Sequence, residues 1–203
     1  MLIIGLTGLI ASGKSAVAAL LVPRGVLHID CDQLAKEATA AGTPGFEQVV
    51  GRFGPEVVAS NGQLDRPRLA RIVFNDPAAL ADLEAIVHPR VRVLRDERLA
   101  AARDEVVVVE AIKLVEAGFH RRCHFLWVVT APHALRIQRL IHLRGMEEPA
   151  ARERVMAQGD DAEKLRLANE VILNDGNRLR LEAQVEAAWE RTVAWLPPEG
   201  STK

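Results

Sequence analysis

The residues with the plainest chemistry lie near the start of the chain. Gly8-Leu9-Ile10-Ala11-Ser12-Gly13-Lys14-Ser15 fits the spacing G-x-x-x-x-G-K-[ST]. In that pattern glycines let the backbone curl so that successive N–H groups point inward at a phosphate. Lys14 adds a point charge for the β- and γ-phosphates, and the Ser15 hydroxyl is placed to ligate Mg²⁺. Further along, Asp30 and Asp32 follow one short apolar run and Glu110 ends another. A carboxylate in such a place can accept a proton from a hydroxyl or help hold a metal ion. Arg136, Arg139 and Arg144 bring positive charge to one segment. Cradled phosphates, held Mg²⁺, an oriented acceptor hydroxyl and neutralised charge are what phosphoryl transfer needs.

Each group also has a structural reading. Asp30 and Asp32 are favoured helix N-cap types. Glu110 could be a solvated strand end, and a row of arginines on one helix is commonly a solvated face. His88 before Pro89 reads as a turn rather than a catalytic base. Lys113 is open between solvent, a pairing with Glu110 or Glu116, and a phosphate contact.

The surrounding elements must place these groups. Leu2-Ile3-Ile4 opens a strand that ends near Thr7, and a helix starts near Gly13 with the body Ala16-Val17-Ala18-Ala19-Leu20-Leu21. That helix turns its positive dipole end toward the anion held by the loop. Val26-Leu27-His28-Ile29 is a second strand, and Gln33 to Ala40 is helical. From Phe46 to Arg103 the pattern is helical: Phe46 to Phe53, Arg66 to Phe74, Ala78 to Val87 and Pro89 to Ala102. Turn signals at Gly54-Pro55, Ser60-Asn61-Gly62, Asn75-Asp76-Pro77 and His88-Pro89 separate these helices. Val106–Val109 and Phe125–Val129 have the continuous apolar character of central parallel strands. Helices follow at about Pro132 to Leu143 and Glu147 to Gln158, then a strand at Glu170–Leu173 and a closing helix from Leu179 to Trp195. Pro197-Pro198 stops that helix, and Gly200-Ser201-Thr202-Lys203 reads as a frayed end. Strands alternating with helices predict an α/β fold with a parallel sheet of about five strands flanked by helices.

The chain has 203 residues, which suits one domain with a subdomain or lid. Its 26 basic and 27 acidic residues nearly cancel, which gives no footing for a nucleic-acid or membrane surface. The first residues read as a core strand rather than a signal peptide, and no apolar run is long enough to span a bilayer. Two cysteines without metal spacing fit a reducing cytoplasm, and scattered histidines give no zinc pattern.

Taken as a set, GLTGLIASGKS at 5–15, IDCDQLAKE at 29–37, GQLDRPRLARIVFNDP at 62–77, LEAIVHPRV at 83–91, VVVEAIKLVEAG at 107–118, RERVMAQ at 152–158 and KLRLANEVILNDG at 164–176 resemble the dephospho-CoA kinase family. The resemblance runs from residue 2 to about 190. It implies a P-loop kinase fold: a core at 1–32 and 104–196, a helical CoA-binding insert at about 33–103, and a lid at about 133–158. The implied reaction is ATP-dependent phosphorylation of the ribose 3′-hydroxyl of dephospho-CoA. Asp32 is then the general base, and Lys14 acts on the transferring phosphate. Gly8, Ala11, Ser12, Gly13, Lys14, Ser15, Ala16, Arg139 and Asn174 bind the nucleotide. Asp32, Arg66 and His88 bind the acceptor, and Ser15 and Glu110 hold Mg²⁺.

The chain departs from the family pattern in places. Leu9, Ala11 and Ala16 stand where Gly, Gly and Thr are usual. Glu110 replaces Asp, Leu143 stands where the lid often has Arg, and Asn169 replaces Asp. Another small P-loop kinase for a nucleotide or nucleoside is the alternative enzyme, and a nucleotide-dependent switch is the alternative outside catalysis.

Overall fold

The computed structural model describes residues 1–74 and 76–196. Asn75 of one expected turn and the expected stop and frayed end at 197–203 lie outside the described residues. In chain order the elements are β1 (Leu2–Thr7), α1 (Lys14–Leu21), β2 (Leu27–Asp30), α2 (Cys31–Ala38), α3 (Pro44–Phe53), α4 (Arg66–Phe74), α5 (Pro77–Ala101), β3 (Val106–Glu110), β4 (Phe125–Thr130), α6 (His133–Arg144), α7 (Glu148–Met156), α8 (Ala162–Leu167), β5 (Glu170–Leu173) and α9 (Arg178–Val193). Short 3₁₀ turns at Val22–Arg24, Pro55–Val57 and Phe119–Arg122 join some of them. They form two compact units, Met1–His28 with Arg103–Lys203, and Ile29–Ala102.

The first unit is built on a sheet of strand order β2-β3-β1-β4-β5. β1 runs parallel to β3, with Leu6 opposite Glu110, and parallel to β4, with Thr7 opposite Val128. β5 runs parallel to β4, with Thr130 opposite Leu173. β3 and β4 are buried along nearly their whole length, which is why they read as unbroken apolar runs. One face packs Ile4, Leu6, Val108 and Trp127 against Val17 and Leu21 of α1 and Val185 and Ala188 of α9. The Trp127 indole is fully buried, and its N–H donates to the Thr192 hydroxyl at 3.2 Å. Because β1, β3, β4 and β5 point the same way, Gly8, Glu110 and Asn174 leave the sheet at its C-terminal edge, where parallel sheets bind ligands.

The second unit has its own core of Val49, Phe53, Val57, Leu64, Leu69, Val73 and Ala79. Its helices start on side-chain caps. Asp30 accepts from the Asp32 and Gln33 N–H groups, Thr43 from Phe46, and Asp76 from Ala78 and Ala79. The expected break at His88-Pro89 does not occur: α5 runs unbroken from Pro77 to Ala101 with Pro89 inside it. Pro89 has no N–H for the Ala85 carbonyl. One turn on, the Arg90 guanidinium donates to the Ile86 carbonyl at 2.7 Å, so that part of the helix still has a donor.

Candidate active site

The glycine-rich loop is held by its carbonyls. Arg139 donates to the carbonyls of Ala11 at 3.1 Å and Ser12 at 3.0 Å, and also to the Asn174 side chain at 2.7 Å. The Asn174 amide donates to the Ser12 carbonyl at 3.0 Å. Arg136, only 1% exposed, donates to the Ile10 carbonyl at 2.9 Å. The Gln158 side-chain oxygen accepts from the Ile10 N–H at 2.6 Å and from Arg136 at 3.3 Å. The Lys14 ammonium, itself buried, lies 3.5 Å from the Leu9 carbonyl. With the carbonyls of residues 9–12 taken up in this way, the N–H groups of Ala11 and Gly13 lie on the opposite side of their peptide planes, while those of Ile10 and Ser12 bond to Gln158 and to the Leu9 carbonyl. A helix start supplies N–H donors that an anion can use, although those of Ala16 and Val17 bond to the Gly13 carbonyl.

Burial pushes the guanidinium pKa values of Arg136 and Arg139 down, and the charge of Asp161 opposes this at Arg136. Arginine remains charged in proteins, so both remain donors. The solvated-face reading fails for these two. Arg144, in the last turn of α6, is exposed as that reading expected.

The loop geometry is demanding. Gly13 has φ of 99°, and a Cβ there would lie 1.9 Å from the Asn174 amide nitrogen. A Cβ at Gly8 would lie 2.1 Å from the Val129 carbonyl oxygen. Ala11, where the resemblance predicts glycine, takes φ of 57° and is the one non-glycine at positive φ among the described residues. A left-handed alanine costs roughly 1–2 kcal/mol, an amount three donors on the loop can sustain. The Ala16 N–H turns to the Gly13 carbonyl at 3.0 Å. The Ser12 hydroxyl is fully buried with no hydrogen-bond partner among the described residues.

Glu110 is buried at the end of β3. One carboxylate oxygen accepts from the Ser15 hydroxyl at 3.0 Å, and the other meets His28 Nε2 at 3.1 Å. The solvated strand end is therefore excluded, and Ser15 and Glu110, expected to share a metal, share a hydrogen bond. Their oxygens suit a hard cation such as Mg²⁺, which takes one or two protein oxygens and fills its octahedron with phosphate and water. Among the described residues no group of three or more His, Cys, Asp or Glu forms a metal cage, and this chemistry does not need one. Lys113 is exposed, and Glu116 pairs with the buried Lys164 rather than being left to Lys113 alone.

In the second unit the cap of α2 is Asp30, and Asp32 lies within the helix's first turn. Arg66 donates to the Lys36 carbonyl at 3.2 Å and the Thr39 hydroxyl at 3.0 Å, and burial lowers its pKa. It borders a cavity of about 260 Å³ walled mainly by Leu64, Leu69, Leu80, Leu83 and Val87. His88, the next residue after Val87, is half-buried within α5 and does not line that cavity.

Sequence reasoning missed His28 and Gln158, and it took Arg136 as part of a lid over the phosphates rather than as a donor to the Ile10 carbonyl. The available signal for His28 was a lone imidazole inside the apolar run Val26–Ile29. For Gln158 there was none, because its partner Ile10 is far away in the chain.

Arg139→Ala is expected to take the Arg139 donor from the Ala11 carbonyl and to leave the Ser12 carbonyl to Asn174. An unpaired buried acceptor costs about 1–3 kcal/mol, which is roughly 2–12 °C in melting temperature for a chain of this size. Nucleotide affinity should fall about tenfold, as read by calorimetric titration with ADP. Unchanged affinity would mean that the loop keeps its shape without this clamp.

Comparison with known proteins places this geometry. Residues 2–179 match the family model described as dephospho-CoA kinase. A dephospho-CoA kinase of Moorella thermoacetica is 45% identical over 194 residues, covering 94% of this chain and 92% of the relative. A crystal structure of a Thermus thermophilus protein superposes with a TM-score of 0.79 at 39% identity, covering 97% of this chain and 98% of that one. A dephospho-CoA kinase from Campylobacter jejuni shares the fold at a TM-score of 0.67 and 23% identity, over 95% of this chain and 98% of that one.

Proposed function

This chain belongs to the dephospho-CoA kinase family, and from that premise we propose how its residues divide the work. The activity is ATP-dependent phosphorylation of dephospho-CoA, which yields coenzyme A and ADP. The observation that carries the reading is the loop at residues 8–13, whose carbonyls are drawn back by Arg136, Arg139 and Asn174. Such a loop is organised before any phosphate arrives, and preorganised donors stabilise developing charge without reorganising. The buried Ser12 hydroxyl gives further support, since an unpaired buried donor costs about 1–3 kcal/mol unless a ligand supplies its acceptor.

In this reading Gly8, Ala11, Ser12, Gly13, Lys14, Ser15 and Ala16 surround the ATP phosphates. Arg139 and Asn174 shape the loop from behind as well as bordering the nucleotide. Ser15 and Glu110 hold Mg²⁺ on the nucleotide, directly or through water. When bound, Mg²⁺ would offset the negative charge of the phosphates. Asp32 takes the proton from the ribose 3′-hydroxyl as that oxygen bonds to the γ-phosphorus and the bond from phosphorus to the β-phosphate oxygen breaks. The proton ends on Asp32 and the electron pair on ADP. The unit Ile29–Ala102 receives the CoA precursor. The leucine-walled cavity suits an aliphatic arm, while Arg66 at its border and His88 in α5 suit polar or phosphate groups. The segment 133–158 is the lid, with the exposed Arg144 in reach of solvent and ligand. The partner is a small molecule, with no nucleic acid or membrane. No described helix is long and apolar enough to cross a membrane, and the proposed location is the cytoplasm.

The test is a coupled ADP assay run across dephospho-CoA, nucleosides and nucleoside monophosphates, with mass spectrometry of the product. The expected product carries one added phosphoryl group on the 3′-oxygen, and ADP forms only when dephospho-CoA is present. Turnover of a nucleoside monophosphate with none of dephospho-CoA would favour another small kinase. Nucleotide binding with no acceptor turned over would favour a switch.

A further inference from the structure

We infer that His28 is a positioning residue that fixes the Glu110 carboxylate for its work at the metal. The inference rests on the reading that Ser15 and Glu110 hold Mg²⁺. The Glu110 side chain is 6% exposed, and the structure gives its two oxygens donors from two different elements. Ser15 in the first turn of α1 serves one oxygen at 3.0 Å, and His28 in β2 serves the other at 3.1 Å. A carboxylate only accepts, so the imidazole carries its proton on Nε2 in this contact. Glutamate has one more rotatable bond than aspartate, and in a buried place that freedom must be removed for one oxygen to stay at Ser15. A hydrogen bond on each oxygen stops the carboxylate turning about its last bond. With Ser15 engaged by a metal ion instead of by Glu110, the His28 contact would still hold the far oxygen of the carboxylate. Partners of this kind, one step removed from a metal, commonly govern how well it is held.

The competing explanation is that His28 only fills space beside β3. His28→Leu keeps much of the volume and has no donor, whereas His28→Gln keeps a donor of similar reach. The measurement is equilibrium binding of ADP in Mg²⁺ and in EDTA, with thermal unfolding to confirm the fold of each variant. The gain in affinity brought by Mg²⁺ should fall about tenfold in His28→Leu and return to within about threefold of wild type in His28→Gln. Affinity in EDTA should be the same in all three. An undiminished Mg²⁺ gain in His28→Leu overturns the inference, and so does an equal loss in His28→Leu and His28→Gln. Should His28→Leu not fold, His28→Asn takes its place, because its amide is too short to reach Glu110. Loss in that variant supports the role and retention overturns it. Glu110→Ala separates the two levels of the argument. Loss of the Mg²⁺ gain there, with His28→Leu unaffected, overturns the His28 role alone. No loss in Glu110→Ala overturns the metal reading and the His28 role with it.

Discussion

Lys14→Ala is expected to lower kcat/KM by about 10³-fold, with the protein still folded. The ammonium is buried beside the loop, and its 3.5 Å approach to the Leu9 carbonyl is a long, weak contact. Charge on the phosphoryl oxygens and the leaving oxygen shifts most as the group moves. Removing a positive charge there should hurt the transition state more than bound nucleotide. The loop carbonyls keep Arg136, Arg139 and Asn174 as donors, so the loop should hold its shape in the variant. Steady-state kinetics against both substrates, with circular dichroism and a melting curve, make the comparison. A variant with near wild-type kcat/KM would mean that the loop is not the working phosphate site.

Asp32→Asn is expected to lower kcat by about 10²–10⁴-fold while ATP binds nearly as before. At about 1.4 kcal/mol per decade this is roughly 3–5 kcal/mol of transition-state stabilisation. The structure removes the main rival explanation, because the N-cap of α2 is Asp30, through its bonds to the Asp32 and Gln33 N–H groups. What Asp32 gives the helix is a negative charge in its first turn, worth about 0.3–1 kcal/mol. A purely structural Asp32 would therefore move the melting temperature by a few degrees and leave turnover almost untouched. Pre-steady-state measurement of the chemical step, beside a melting curve, tells the two apart. A variant that turns over like wild type would leave Asp32 as a charge at a helix end.

The parts of this site that the sequence made legible are those whose chemistry is written locally. Gly8 through Ser15 carry spacing, residue type and flanking elements within one short stretch, and the structure keeps that strand, loop and helix. The carboxylate at Glu110 could be placed at a strand end, but its burial could not be read from a run of valines. Burial there comes from α1 and β2, brought alongside by the parallel sheet. Arg136 and Arg139 read as a basic lid over the phosphates, with a solvated face as the alternative, because sequence spacing says nothing of a carbonyl lying within reach. Their partners are residues 10–12 and 174. Pro89 misled in the other direction. Proline is a strong signal for ending a helix, yet packing of α5 against α2, α3 and α4 within the second unit outweighs one lost hydrogen bond. A cap role stood open for both Asp30 and Asp32, the more readily for Asp30, and the backbone shows that Asp30 precedes the helix.

The strand order carries a consequence for how the protein is made. β1 lies in the middle of the sheet, yet its neighbours start at Val106 and Phe125. At about 5–20 residues per second, synthesis of the intervening hundred or so residues takes on the order of 5–20 s. During that interval Leu2–Thr7 is an apolar strand with both edges unpaired, the kind of segment that invites pairing with other chains. The stretch Ile29–Ala102 has a core of its own, so it can condense while β1 waits. Asn174, which presses against Gly13, comes later still. The loop that grips the phosphates is thus translated early and shaped late, and the strand leading into it is the segment of the nascent chain most in need of shielding.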